Sequence, residues 1–372
     1  MSSLALAAQN LSIYLGIFAL VAGILGGLLN IIVFLSLKTF RQSSSAFYLT
    51  IMSISNLGIL ISGQLTRILI SGYSIDWTQT SLFYCKFRTY SLQTFSNVSL
   101  AYLSLATIDQ YLSTCSRPQW QQWSNIRVAH RLAILVVLLG LICNIPYAIY
   151  YVHNQSPTTG GITCTSTNDI FQRYMNYVSG ITLTRILPIG LIILFGILSY
   201  RNIQQLARQT VPLVRRELDR QITIIVLVQS VITFFTITPY IVVYCLLLVF
   251  NANDHPAIFN NLQATNSIAL SVYYLYFASP FYIYFCASAR FRRQLKYVLF
   301  DVHFNQCCRR ITPNTTLSEL VLDNNQIGDG DAQHIGIGLQ KNKTLIGISL
   351  CSNQIKDKDV QGIGEGLEQN TT

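Results

Sequence analysis

Arg67, Arg88 and Arg185 are the side chains of this sequence best suited to hold a ligand, because each stands within or at the edge of a long apolar stretch. A guanidinium in such surroundings is costly unless it faces a cavity or a partner, and its planar fork of N–H donors matches carboxylate and carbonyl oxygens. Gln93, Tyr240, Tyr244, Tyr273 and Tyr276 lie in neighbouring stretches and could supply polar and aromatic walls around an anionic or carbonyl-rich group. For Arg67 and Arg88 the alternative is that the stems lie along apolar surface while the charged heads reach lipid headgroups. Bond-making chemistry is not indicated. No zinc-type Cys/His spacing, phosphate-binding glycine loop or nucleophile elbow occurs, and His130, His153, His255, His303 and His334 are scattered. The chain therefore reads as a non-enzyme with no cofactor and no metal.

The stretches carrying these residues are those of a multi-span membrane protein. The 372 residues are 51% hydrophobic and only 11% charged, too apolar for an ordinary soluble domain. Apolar runs cover 13–37, 46–71, 86–112, 130–152, 174–200, 221–250 and 265–289, with short segments between them, as expected for sequential helices packed as neighbours. A helix from Cys85 to Asp109 would be roughly 36 Å long at about 1.5 Å per residue, enough to cross a hydrocarbon core of about 30 Å at a tilt. Residues 1–12 carry no Lys or Arg and lack the basic start of a secretory signal, so the first run is expected to span with its N-terminus outside. Asn10-Leu11-Ser12 then reads as an outer glycosylation sequon, with a chance match as the alternative.

Placement of charge fits that orientation. Lys38, Arg41, Arg117, Arg127, Arg131, Arg201, Arg208, Arg215, Arg216, Arg220, Arg290, Arg292, Arg293 and Lys296 fall on the cytosolic side, against Lys86, Arg88 and Arg173 outside. The net charge of +10 is thereby explained by anionic inner-leaflet lipid and cytosolic partners, without nucleic acid. Of nine cysteines, Cys143, Cys245 and Cys286 fall inside runs, and Cys115, Cys307, Cys308 and Cys351 fall on the cytosolic side.

The third run, with Cys85 at its top and Asp109-Gln110-Tyr111 at its foot, resembles the third transmembrane helix of rhodopsin-like G-protein-coupled receptors, whose foot reads Asp/Glu-Arg-Tyr. Asn30 in the first run, Asn56 in the second, and Pro188, Pro239 and Pro280 in the fifth, sixth and seventh match the same plan, over about residues 13–300. The resemblance implies a hydrogen bond from the first-span Asn toward the second span, and proline kinks that act as hinges. It also implies that Cys85 pairs with the second extracellular loop, where Cys164 stands. Those two are the cysteines that the topology leaves in oxidising space, and two free thiols are the alternative.

Departures from the family pattern carry their own implications. Gln110 replaces the Arg of the foot, so it cannot form an ion pair with Asp219, which stands where the family has an acid on the sixth span. Either the resting state is loosely held and basal activity is high, or G-protein engagement is weak. Asn56 replaces an Asp, so sodium regulation is expected to be weak or absent, and Ile237 replaces a Trp. The seventh-span Asn-Pro-x-x-Tyr is degraded: if Pro280 is the family proline, Ser279 and Ile283 fill the Asn and Tyr places; if Tyr284 is the family tyrosine, Pro280 and Phe281 fill the Asn and Pro places, so Tyr282 and Tyr284 are both candidates for the switch tyrosine. Leu92 stands where amine receptors have an Asp, which favours a peptide or anionic ligand over a monoamine. No Lys occurs in 265–289 to form a retinal Schiff base, so light sensing is not expected.

Beyond the seventh run, Phe291, Leu295, Val298 and Leu299 share one face among cations, the pattern of a helix lying in the membrane interface and similar to the family's eighth helix. Cys307 and Cys308 follow as palmitoylation candidates, with unmodified thiols as the alternative. Residues 317–344 and 345–372 then superpose as two units through Leu317/Leu345, Leu322/Leu350, Asn325/Asn353, Ile327/Ile355, Ile335/Ile363, Gly338/Gly366 and Leu339/Leu367. This spacing resembles leucine-rich repeats of the ribonuclease-inhibitor type, which bury an apolar face only against neighbours.

The expected fold is all-α, a seven-transmembrane helix bundle with an amphipathic eighth helix and a short α/β leucine-rich-repeat tail. Its parts are an extracellular N-terminus (1–12), the receptor domain (13–300), a linker (301–316) and two cytosolic repeat units (317–372). The expected function is that of a multi-pass plasma-membrane receptor, with an extracellular ligand, preferably a peptide, and a heterotrimeric G protein as partners. The runner-up is an uncoupled seven-helix protein whose tail recruits a cytosolic partner. A transporter is disfavoured by the absence of an evident inverted repeat.

Overall fold

The computed structural model describes residues 3–115, 117–155, 161–207, 213–250, 256–299, 319–323, 335, 339, 347–351 and 353. The chain divides into two compact units, Met1–Val298 and Leu299–Thr372.

The first unit is helical. α1 spans Ser3–Ser36. α2 begins as Ser44–Ile59 and continues through wider π-helical turns at Leu60–Leu65 and Ile68–Gly72. α3 spans Leu82–Thr114 and α4 spans Ile126–Tyr150. α5, Leu187–Ala207, follows a π-helical stretch over Tyr174–Ile186. α6 is Leu213–Val249, α7 Pro256–Ala278, α8 Pro280–Ala287 and α9 Ala289–Lys296. Between α4 and α5, β1 (Val152–Gln155) pairs antiparallel with β2 (Ile162–Thr165), placing His153 opposite Cys164.

Short polar residues start the helices where the sequence changes character. Ser43, Ser81 and Asn125 accept from the backbone N–H of Ala46, Tyr84 and Arg127 at the starts of α2, α3 and α4, and Ser288 does the same for Phe291 of α9. α3 packs against α2, α4, α5 and α6, and so occupies the middle of the bundle. Its buried positions include Ser91, Thr94, Ser96, Ser99, Ser104 and Thr107, a polar stripe suited to facing other helices rather than lipid. α1, by contrast, exposes Tyr14, Phe18, Val21, Leu25, Leu28 and Leu35 along one side. Its opposite side approaches α8 so closely that a Cβ on Gly26 would lie 2.9 Å from Phe281 Cβ.

The spans differ from the sequence reading in two respects. α1 begins at Ser3, so the expected N-terminal tail is helical through Ser12, whose buried hydroxyl donates to Ala8 O at 2.8 Å. The Asn10 sequon therefore lies inside a helix. Among the described residues, five helical segments are long and apolar enough to cross a membrane, and α7 with α8 makes a sixth across a 56° bend. α3 fails that test despite its 33 residues because its helix-facing stripe is Ser/Thr-rich. The bend falls at Ser279-Pro280, where the proline ring has no N–H to continue the ladder.

In the second unit, β3 (Glu319–Val321) pairs in parallel with β4 (Gly347–Ser349), joining Leu320 to Ile348. Leu339 is buried against Leu320, Ile335, Ile348 and Leu350. Asn353 Nδ2 donates to Leu322 O at 2.8 Å and to Leu350 O at 2.9 Å, tying one strand end to the other.

Candidate functional site: an arginine-lined cavity and the foot of the central helix

Two of the three guanidiniums, those of Arg185 and Arg67, reach their positions at local departures from regular helix. Pro188 cannot donate back to the preceding turn, and the backbone before it runs in the wider π register. In that register Arg185 folds back so that Nη1 donates to Gly180 O, five residues earlier. A Cβ on Gly180 would lie 2.7 Å from Met175 O and 3.2 Å from Arg185 Nη1, so this placement requires glycine. Arg67 stands between the two π-helical turns of α2, and Arg88 lies one turn beyond the buried Cys85 of α3.

These elements enclose a cavity of about 340 Å³. Its lining includes Arg67, Arg88, Arg185, Gln93, Tyr240 and Tyr273, together with Leu92, Ser96, Thr184 and Tyr274. Arg67 and Arg185 are only 8% and 7% exposed. The Arg185 guanidinium lies 4.8 Å from the Tyr240 ring centroid and 4.5 Å from that of Tyr244, so two aromatic rings hold it. Arg67 Nη2 donates to Ser267 O at 2.5 Å and Ser12 Oγ at 3.1 Å, joining α2 to α7 and α1. Among the described residues no acid lines the cavity, and Nε of Arg67, Arg88 and Arg185 is buried without a hydrogen-bond partner. Such donors favour an anion or a strong acceptor.

Most of the residues singled out from the sequence are brought together here, with two exceptions. Tyr244 supports Arg185 and hydrogen-bonds Asn176 at 3.0 Å, but is not part of the lining. Tyr276 lies deeper, within 3.4 Å of Ser99 Oγ. Sequence reasoning missed Tyr274, Thr184 and Ser96, the last of which shares a 2.8 Å hydrogen bond with Tyr273. Gly63 also escaped it, although a Cβ there would clash with Leu92 Cδ1 and lie 2.6 Å from the Tyr274 hydroxyl.

Above the cavity, Cys85 and Cys164 form a disulfide with Cα atoms 5.8 Å apart. It fastens β2 to the top of α3. Tyr151, just beyond α4, donates to Met175 Sδ at 3.2 Å; burial pushes its phenol pKa up and the Arg88 charge opposes that shift.

At the other end of α3, Asp109 accepts from Ser44 Oγ at 2.6 Å and from Ser45 Oγ. Gln110 Nε2 donates to Ser45 Oγ at 2.6 Å, while Gln110 Oε1 accepts from the Thr223 hydroxyl of α6. The side chains of α2, α3 and α6 are thus joined in one buried relay. Its serines and threonine escaped the sequence reading because they carry no charge and look like any other helix hydroxyls. Tyr111 packs on Phe195 with ring centroids 5.4 Å apart. The Asp219 side chain lies outside the described residues, as do Cys307 and Cys308.

Other positions are distributed through the bundle. Asn56 Oδ1 accepts from Ser99 Oγ at 2.5 Å. Asn30 is buried, and its Oδ1 has no hydrogen-bond partner among the described residues. Pro239 lies within α6, and Ile237 is fully buried. Of the two switch candidates, Tyr284 is buried against Phe34 and Phe291, whereas Tyr282 is exposed and donates to Ala22 O at 3.0 Å.

A bundle built on a buried polar central helix, with a disulfide at one end, an internal cation-lined cavity and a hydrogen-bonded foot at the other, has the parts of a helical membrane receptor. The family described as 7 transmembrane receptor (rhodopsin family) matches residues 26–283, and the chain belongs to that family. Its members are in general receptors for extracellular ligands that act on G proteins. None of the curated proteins matches the chain.

Proposed function

We propose that the chain is a plasma-membrane receptor with its N-terminus outside the cell, that it binds a ligand presenting an anionic or carbonyl-rich group, peptide in preference to amine, and that it signals through heterotrimeric G proteins. The carrying observation is Arg185, buried between Tyr240 and Tyr244 at a cavity with no acid among its described lining residues. Leu92 in the same lining leaves an ammonium group nothing to pair with. The positive-inside distribution supports the orientation. The amphipathic α9 supports an interfacial eighth helix ahead of acylated Cys307 and Cys308. The parallel β3–β4 pair supports reading the tail as two leucine-rich repeats.

A peptide-library screen on cells expressing the chain, read by a G-protein biosensor, tests the receptor reading. Arg185→Ala is expected to remove the response to a hit at equal surface expression, and an untouched response would sink the pocket assignment.

A second reading, an uncoupled membrane scaffold acting through its tail, is favoured by one observation. Gln110 places a neutral amide, engaged on both sides, where the family has a charged Arg. Deleting residues 312–372 would abolish a scaffold's function and spare a receptor's.

A further inference from the structure

The cavity gathers more positive charge than one carboxylate balances. Arg185 forms one pole, on the π-helical stretch before α5, with Tyr240 and Tyr244 around it and its field reaching Tyr273. Arg67 and Arg88 form the other, on α2 and α3; they act on each other as like charges, and both act on Tyr274. Unpaired guanidiniums in a low-dielectric interior repel, and a single anion at Arg185 would leave the second pair uncompensated. The acids with described side chains in this unit lie elsewhere: Asp76 caps a short helix, Asp109 is at the foot of α3, and Asp169 is exposed.

Resting on the reading of this cavity as the ligand site, we propose that the group it takes is a dicarboxylate, with one carboxylate on Arg185 and the other between Arg67 and Arg88. Arg185 and Arg67 each keep a buried Nε without a partner among the described residues while spending another nitrogen on a backbone carbonyl, Gly180 O and Ser267 O respectively. They are therefore fixed in place with donors still unused, the preorganisation that carboxylate recognition requires. Ser96 and Thr184 add hydroxyls to the wall. A space of about 340 Å³ is at the small end for ligand pockets and admits a short dicarboxylic acid or the last residue of a peptide. The same chemistry has two sources: a free short-chain diacid, or a peptide ending in Asp or Glu, whose side-chain and terminal carboxylates make the pair.

The test is thermal melting of the purified full-length receptor in detergent, since a ligand that binds the folded state raises the melting temperature without any G protein. The probes are succinate, glutarate, their monoamides, and a tetrapeptide ending in Glu with a free or an amidated C-terminus. Diacids or the free-acid peptide are expected to stabilise, and the corresponding monoamide or amidated peptide to need at least tenfold more for the same shift. Arg88→Gln is expected to erase that difference, while Arg88→Lys keeps part of it. Stabilisation by diacids but not by the peptide assigns a free metabolite as the source, and the reverse assigns a peptide. Equal potency of diacid and monoamide, both lost in Arg185→Ala, would overturn the dicarboxylate and leave the anion site standing. No shift from any probe, with a neutral peptide from the library stabilising instead, would overturn both.

Discussion

Gln110 of α3 accepts a hydrogen bond from the Thr223 hydroxyl of α6, and through Ser45 the same carboxamide reaches Asp109. The expected effect of replacing a charged Arg by Gln at this place is a looser hold between the third and sixth spans. The contact that is present is neutral, buried and shared with α2, one helical turn from Asp219.

Thr223→Val keeps the side-chain shape and removes the donor. A neutral hydrogen bond contributes about 0.5–1.5 kcal/mol net, so basal signalling is expected to rise roughly 2- to 10-fold. A basal G-protein biosensor normalised to surface receptor checks this, and unchanged basal output would show that the contact does not hold the resting state. Gln110→Arg in the same assay separates a loose lock from weak coupling, because only weak coupling predicts a gain in stimulated signal.

The Cys85–Cys164 bond closes a sequence separation of 79 residues. Chain entropy alone makes such a closure worth about 4 kcal/mol. Cys164→Ser is expected to lower the melting temperature and surface level, with Cys85→Ser equivalent and the double variant no worse. Additive losses in the double variant would show that the cysteines act separately.

Gly180→Ala places a methyl group 2.7 Å from the Met175 carbonyl and 3.3 Å from the Tyr244 hydroxyl. Overpacking of this kind typically costs about 1–3 kcal/mol. Melting of the purified receptor is expected several degrees lower, with reduced stabilisation by whichever probe stabilises the parent chain. Retention of both would mean that the turn holding Arg185 yields easily.

Among the described residues of the second unit, Leu339 is buried at the centre of an apolar cluster. Truncating a core leucine costs about 2–5 kcal/mol, so Leu339→Ala is expected to speed hydrogen exchange across β3 and β4. Exchange in α3 is expected to stay unchanged, and unaltered exchange in the strands would deny Leu339 its packing role.

What could be read from residues alone was whatever charge, hydropathy or spacing marks. The Cys85–Cys164 pair, the Arg67, Arg88 and Arg185 trio and the 28-residue offset that pairs Leu320 with Ile348 are of that kind. Neutral contacts were not legible, because Ser45 and Thr223 look like any helix hydroxyls until backbone geometry sets them beside Gln110. Length was misleading at α1, where residues 3–12 are uncharged and helical instead of forming a tail. At α3 the 86–112 run is one continuous helix as read, and its enclosure by four other helices permits a serine-rich surface that lipid would not tolerate.

The π-helical stretch from Tyr174 to Ile186 is wound more loosely than the helices on either side of it. Tightening even one of its coils to the ordinary pitch would turn everything above that point about the axis, as a screw turns in its thread. Arg185, at the lower end, would then part from Tyr240 and Tyr244 or drag them with it. A rearrangement at the cavity end of the bundle is thereby geared to the sixth helix, which carries both tyrosines and, nearer its other end, Thr223.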